Sequence, residues 1–138
     1  MNTEGDVMPE TVKEARERYR ALAPAASEVV RATTREMGFD GAEFRERVTD
    51  DVRTAAQDVM FASLLSVRVG TREEFDEWRE TYTGEIQMAG SDNVENVVWH
   101  APPWADTAIA TSFQNEREAA VAMARRQAFG QLYREVVR

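Results

Sequence analysis

The chain has 138 residues, of which 43% are hydrophobic and 30% charged, enough for a hydrophobic core inside a charged surface. The absence of cysteine excludes disulfides, thiolate nucleophiles, iron–sulfur clusters and cysteine zinc sites. The 25 acidic and 17 basic residues give a formal net charge of -8. Because the arginines are interleaved with glutamates and form no basic cluster, we expect no nucleic-acid partner.

The scarcity of lysine and isoleucine indicates why the chain is acidic. Lys13 is the only lysine, so arginine supplies the rest of the positive charge, and isoleucine occurs only at Ile86 and Ile109. This composition favours a GC-rich genome and a halophilic, salt-rich cell interior over a charge evolved for a partner. In molar salt the screening length is only ~3 Å, so the acidity identifies no ligand.

The first residues argue against secretion. Met1 to Met8 carries Glu4 and Asp6 where a signal peptide needs positive charge, and no apolar run approaches the ~20 residues of a membrane span. We therefore expect a soluble, cytoplasmic protein without a membrane partner. Residues 1–8 are expected to be flexible, ahead of the folded part of a single domain over residues 1–138.

Helical periodicity occupies residues 9–64. Pro9 opens a stripe of apolar residues three or four apart that ends near Leu22. A second stripe runs from Ala25 to Met37, between a proline that can begin a helix and a glycine that can end one. Two consecutive helices are therefore predicted.

Two further helices are predicted before residue 65. Asp40 can cap a short helix that reaches Val48, and Thr49 can cap a longer one from Asp50 to Leu64. Apolar residues cover much more than a narrow stripe of the longer helix, so we expect it to be the most buried helix of the fold.

Residues 65–113 change to the alternating pattern of strands, with one helix among them. Thr71 and Glu74 form a capping-box pattern for a helix that ends near Tyr82. The last two strands should form a hairpin in a mainly antiparallel sheet. The alternation places the strands at Leu65–Val69, Glu85–Met88, Val97–Ala101 and Asp106–Phe113.

Residues 115–137 return to helical spacing, with Asn115 as the predicted N-cap. Gly130 lies inside this helix and costs about 1 kcal/mol relative to alanine, so we expect close helix packing or a bend there. The predicted fold class is α+β: a helical N-terminal half, a small sheet of about four strands, and a long C-terminal helix packed across the sheet.

No motif of established chemistry is present. The seven glycines match neither the GxxxxGK[ST] nor the GxGxxG spacing of phosphate-binding loops. His100 is the only histidine, so the HExxH motif of zinc metalloproteases is absent. The GxSxG motif that holds the nucleophile of serine hydrolases is absent as well. We expect no cofactor and no metal.

One segment concentrates unusual residues, the run Trp99-His100-Ala101-Pro102-Pro103-Trp104. Strand alternation directs His100 away from the face that holds Trp99. Arg68 and Asp106 would approach His100 if the strand order is favourable. An imidazole, a guanidinium and a carboxylate beside an indole are typical of an anion or small-molecule pocket, or of an acid–base pair. The candidate site therefore comprises His100, Trp99, Trp104, Arg68 and Asp106.

Two other interpretations of this segment stay open. In the first, all three residues are structural: Trp99 packs in the core, His100 is a half-exposed strand residue and Trp104 covers a sheet edge. Aromatic residues and a lone histidine are more often structural than catalytic. Alternatively, an exposed Trp104 and the adjacent prolines would form a contact for a partner subunit. The exposure of Trp104 separates these interpretations.

The chain resembles a family of short acidic proteins of haloarchaea known only as a domain of unknown function. The likeness covers nearly the whole chain and is carried by Glu10 to Tyr19, Phe61 to Leu65, Val67 to Phe75, Trp99 to Pro102 and Arg126 to Gly130. The resemblance implies a salty cytoplasm and no established activity, so it assigns no functional residue.

The absence of a catalytic motif favours a non-enzymatic binding, adaptor or regulatory module, as a homo-oligomer or with a protein partner. The competing hypothesis is a small-molecule or anion-binding protein, or a weak enzyme, with its site around His100. It requires the five candidate side chains to converge on one concave pocket.

Overall fold

The computed structural model describes residues 1–91 and 93–138, and its fold class is α+β, as predicted. The N-terminal half contains β1 Asn2–Glu4, α1 Val12–Arg20, α2 Ala23–Glu36, α3 Gly41–Arg47 and α4 Asp50–Leu64. The remaining elements are β2 Val67–Thr71, α5 Arg72–Thr81, β3 Glu85–Ala89, β4 Asn96–His100, β5 Thr107–Phe113, α6 Arg117–Ala128, a π-helical turn Phe129–Tyr133 and α7 Arg134–Val137.

Side-chain caps set the start of most helices. The predicted caps of α3 and α4 are confirmed, since each side chain accepts a hydrogen bond from the third backbone N–H of its helix. The capping box of α5 is also confirmed: Thr71 Oγ1 accepts from the Glu74 N–H at 3.1 Å, and the Glu74 carboxylate accepts from the Thr71 N–H at 2.9 Å. The prediction for α6 is wrong, because Glu116 and not Asn115 precedes the helix, and it makes no side-chain cap.

The sheet has five strands in the order β1-β2-β4-β5-β3. Three of the four pairings are antiparallel and only β3 runs parallel to β5, so the predicted antiparallel character and the pairing of the last two strands are confirmed. The fifth strand comes from the segment expected to be flexible. Asn2 in β1 pairs with Val69, and the buried Val7 donates its N–H to the carbonyl of Leu64 at 2.9 Å.

Helix α5 covers one face of the sheet. Phe75 is buried against Trp99, with ring centroids 5.2 Å apart, and Trp78 lies 5.6 Å from the same indole. Val97 and Ala110 complete the buried part of this layer. The aromatic residues of α5 therefore pack on alternate residues of β4 and β5, as the period of a strand requires.

The C-terminal helical run covers the opposite face, as predicted. Val121 and Ala124 of α6 pack on Val67, Val69 and Val98. Both faces of β4 are therefore buried. No helix among the described residues combines the length and apolar character needed to cross a membrane.

Helices α1 and α4 pack against the last part of the C-terminal helical run through a cluster of aromatic side chains. The ring of Phe61 in α4 lies 5.6 Å from Tyr19, 5.9 Å from Phe129 and 5.3 Å from Tyr133. These edge-to-face contacts are the favourable geometry for aromatic pairs. Helix α2 packs on α4 and lies farther from the sheet.

The prediction that α4 is the most buried helix is wrong. Phe61 is the only buried residue among its 15, and Val59 has 69% of its surface exposed. The C-terminal run holds half of the buried helical residues: Ala120, Val121, Ala124, Ala128, Phe129, Tyr133 and Val137. This run packs on both the sheet and the N-terminal helices, whereas α4 packs on α1, α2 and α6 and leaves one side of the helix exposed.

The irregularity predicted at Gly130 is a π-helical turn. The N–H of Arg134 donates to the carbonyl of Phe129, five residues earlier, which inserts one extra residue into the turn. A Cβ added to Gly130 would meet only the Arg134 guanidinium, at 3.8 Å. Close helix packing therefore does not explain this glycine.

Candidate functional site

His100 ends β4 and points toward the C-terminal helical run. Because it pairs with Ile109, it shares the face of that residue, and Trp99 takes the other face. The predicted separation of His100 from the face of Trp99 is thus confirmed. The side chain is fully buried, so the half-exposed position considered from the sequence is wrong.

Both ring nitrogens of His100 are engaged. Nδ1 lies 2.6 Å from the carbonyl oxygen of Ser66, and Nε2 lies 2.7 Å from the hydroxyl of Tyr133. A carbonyl oxygen can only accept, so Nδ1 carries a proton. The neutral imidazole therefore has a single tautomer, in which the Tyr133 hydroxyl donates to Nε2.

Burial fixes the protonation of this pair. Burial lowers the pKa of His100 to about 4. The hydrogen bond to Ser66 raises this pKa, and the nearby positive charge of Arg125 lowers it further, but burial has the largest effect. Burial also raises the pKa of Tyr133 well above its usual value. At neutral pH the hydrogen bond joins a neutral phenol to a neutral imidazole, which is a satisfied internal contact.

The π-helical turn brings Tyr133 to this position. Tyr133 is the last residue of that turn, and its ring lies 5.6 Å from the imidazole of His100. Trp104 packs edge-to-face on the same phenol ring at 5.3 Å. We name His100, Tyr133, Trp104 and the Ser66 carbonyl the histidine cluster. Because this cluster is closed to solvent at the imidazole, it stabilises the fold and presents no acid–base group to a substrate.

The predicted convergence of the five candidate residues is wrong. Arg68 pairs with Trp99 across β2 and β4, so both side chains lie on the α5 face of the sheet, opposite His100. Arg68 is exposed there, while Trp99 is buried against Phe75. The strand register alone therefore separates the guanidinium from the imidazole.

Asp106 also lies apart from His100. It immediately precedes β5, and its carbonyl oxygen accepts from the N–H of Glu85 at 2.8 Å. Its charge contributes, after burial, to raising the pKa of Tyr82. Trp104 does reach the histidine cluster, but it is half-buried against Tyr133 and does not stand out as an exposed contact for a partner.

Five surface depressions on the described part of the chain are lined by none of the five candidate residues. Within the same residues, no three His, Asp or Glu side chains group in a way that could hold a metal ion. Two candidates, His100 and Trp104, meet at Tyr133, and the other three serve separate parts of the structure.

The exposed side of α4 is a second candidate, which sequence reasoning missed. Val52, Ala55, Val59 and Ser63 are all exposed and follow one another at spacings of three, four and four residues. They therefore form one stripe, which lies opposite the buried Phe61. We name these four residues the α4 surface.

From Thr54 to Leu64 the α4 surface lacks free charge, although the exposed Asp51 lies one turn before Ala55. Asp58 is the only charged residue between Thr54 and Leu64. Its carboxylate is directed away from the stripe, since Oδ1 accepts from the Tyr19 hydroxyl at 2.6 Å and Oδ2 forms an ion pair with Arg138.

Weak signals for these features were present in the sequence. Gly130 marked the irregular turn three residues before Tyr133, but nothing marked the phenol as the partner of His100. The broad apolar coverage of α4 predicts deep burial, but periodicity does not show whether a second apolar side faces a neighbouring element or solvent.

The model of a family of unknown function, DUF5809, matches residues 6–134 of the chain. No curated protein matches, and no solved structure matches.

Proposed function

We propose that this chain, which belongs to the DUF5809 family of unknown function, is a non-enzymatic protein-binding module that forms a homodimer through the α4 surface. The observation that carries the proposal is the 69% exposure of Val59 at the centre of an uncharged helical stripe. Exposed apolar area without charge is the composition that interface cores share.

A second copy suits this surface because the stripe is complementary to itself. In an antiparallel pair of α4 helices related by a twofold axis near residue 57, Val59 of each copy would lie over Ala55 of the other. A large side chain would thus face a small one twice. Asp58 lies one residue from this axis and is paired with Arg138 in each copy, so the centre of the contact would carry no unpaired charge, although each copy has a net charge of -8.

The size of the stripe predicts a weak dimer. A helix of 15 residues is ~22 Å long, so one helix pair buries less than a standard interface. Covering the exposed 69% of Val59 contributes about 1 kcal/mol per copy and about 2 kcal/mol per dimer, or about 30-fold in the dissociation constant.

Sedimentation equilibrium in molar KCl tests the dimer. We expect the wild-type mass to rise toward twice the monomer value as the protein approaches millimolar concentration. Val59→Glu should weaken association by about 30-fold or more, since it removes the apolar contact and requires a buried carboxylate. Met123→Glu is the matched control, because Met123 is 44% exposed on α6 and should be neutral.

A wild-type chain that stays monomeric at millimolar concentration would overturn the proposal. Equal association of the Val59→Glu and Met123→Glu proteins would also overturn it, because α4 would then contribute nothing specific.

We assign the module to a salt-rich, halophilic cytoplasm. The support is the excess of eight acidic charges and the single lysine, Lys13. Salt near 1 M shortens the screening length to ~3 Å and relieves repulsion among surface carboxylates. The unfolding temperature should therefore rise between 0.1 M and 1 M KCl, and an unchanged or lower unfolding temperature contradicts the assignment.

A further inference from the structure

Strand β3 forms one edge of the sheet and lacks most of the devices that protect sheet edges from pairing. β3 occupies one end of the strand order and pairs only with β5 among the described strands. Its five residues Glu85–Ala89 keep an unbroken register with β5, and they contain no proline and no charge after Glu85. Short length, charge, proline and bulges are the usual devices that block edge pairing, and β3 has few of them.

A groove of about 210 Å³ lies between this edge and the C-terminal helical run. It is lined by Gln87, Met88, Ala89, Ile109, Gln127 and Gln131. No charged residue contributes to it, although charged residues make up 30% of the chain.

Three of the chain's five glutamines meet in this groove. Gln87 pairs with Ile109 and so faces the helical run, while Gln127 and Gln131 lie four residues apart along that run. Gln57, by contrast, lies elsewhere and uses its amide to donate to the Tyr19 carbonyl at 2.8 Å. Within the described residues, the three groove amides form no such bond.

We propose that the β3 edge and its glutamine groove bind an extended, uncharged peptide segment of a partner protein as an additional strand. Main-chain N–H and C=O groups of the peptide would pair with the free edge of β3. On alternate residues of the added strand, side chains would face the helical run beside the glutamine amides, which carry no charge and offer both a donor and an acceptor to uncharged side chains. This site is independent of the α4 surface.

A phage-displayed library of random 12-residue peptides provides the probe. Selection on the wild-type protein should enrich sequences rich in β-branched and small residues, which favour extended backbone. The enriched peptide is then synthesised with a fluorophore, and its affinity is measured by fluorescence anisotropy.

Two changes test the binding mode. The double variant Gln127→Glu and Gln131→Glu should weaken peptide binding by about tenfold or more, because it places carboxylates beside the uncharged peptide side chains that face the helical run. Gln114→Glu is the matched control, since Gln114 is exposed outside the groove and should leave affinity unchanged. N-methylation of alternate peptide residues should abolish binding in one register and preserve it in the other, since only alternate N–H groups face the edge.

Failure to enrich any peptide above background would overturn the proposal, as would an affinity indifferent to the groove charges or to N-methylation. Dimerisation through β3 itself would also overturn it, and this outcome has its own signature: the groove variants, and not Val59→Glu, would then dissociate the dimer. Peptide binding that persists in Val59→Glu separates this site from the α4 surface.

Discussion

Acid should destabilise this protein through His100. The folded state holds its pKa at about 4, against 6.5 for an unburied histidine, so the unfolded chain binds the proton first as pH falls. Above pH 6.5 neither state is protonated and the full stability is present. Between pH 6.5 and 4 it is lost progressively, and the lowered pKa corresponds to about 3 kcal/mol at 1.36 kcal/mol per pH unit.

Urea unfolding at constant molar KCl, repeated from pH 7.5 down to pH 4.5, measures this loss. Aspartates and glutamates also titrate toward the lower end, so the wild-type slope alone is insufficient. His100→Gln provides the control, because glutamine keeps one donor and one acceptor but cannot titrate. The variant will be less stable at neutral pH through altered packing, and only the change of its free energy of unfolding with pH is compared.

We expect the difference in stability between wild type and His100→Gln to shrink as pH falls from 6.5, by about 2 to 3 kcal/mol at pH 4.5. A difference that stays constant over this range would refute the reasoning. It would mean that His100 is protonated in the folded state or reaches solvent.

Three other changes have defined outcomes. Tyr133→Phe keeps the ring but leaves Nε2 of the buried imidazole without a donor, so chemical denaturation should show a loss of about 1–3 kcal/mol. Gly5→Ala should lower the unfolding temperature more than Gly38→Ala, since both glycines have positive φ but only the Cβ at Gly5 would strike a backbone carbonyl, at 2.4 Å. Absorbance titration should find little tyrosinate at pH 10 in the folded protein, because burial raises the pKa of Tyr133, of Tyr82 and, to about 12, of Tyr19; half-ionisation there would contradict this.

The local signals of the sequence predicted most elements. The capping box at Thr71 and Glu74 and the alternation around His100 depend on neighbours within a few residues, and both were confirmed. Strand order is different, because it depends on contacts between distant segments. The pairing of Arg68 with Trp99, which separates the candidate residues, could not be derived from either strand alone.

The N-terminal segment illustrates a second limit. Residues 2–4 lack the length and hydrophobicity of a predicted strand, and they form β1 because β2 offers a free edge. Likewise, the apolar residues of α4 predicted burial, but α1, α2 and the C-terminal run leave the side opposite Phe61 exposed. Both errors arise where tertiary neighbours, and not local pattern, decide the outcome.

The rarest side chains of this chain do not lie at the surfaces proposed to bind partners. The rare side chains His100 and Trp99 are polar or large groups that a small core must pack closely, and each is buried within a single layer of the fold. The surfaces that could receive a partner are built from ordinary residues whose environment is unexpected: Val59 exposed without charge around it, and Gln127 and Gln131 beside an open strand. Both ring nitrogens of the buried His100 are bonded inside the chain, whereas the exposed Val59 and the groove glutamines contact solvent, where a partner can reach them. A partner is therefore expected at α4 and at β3.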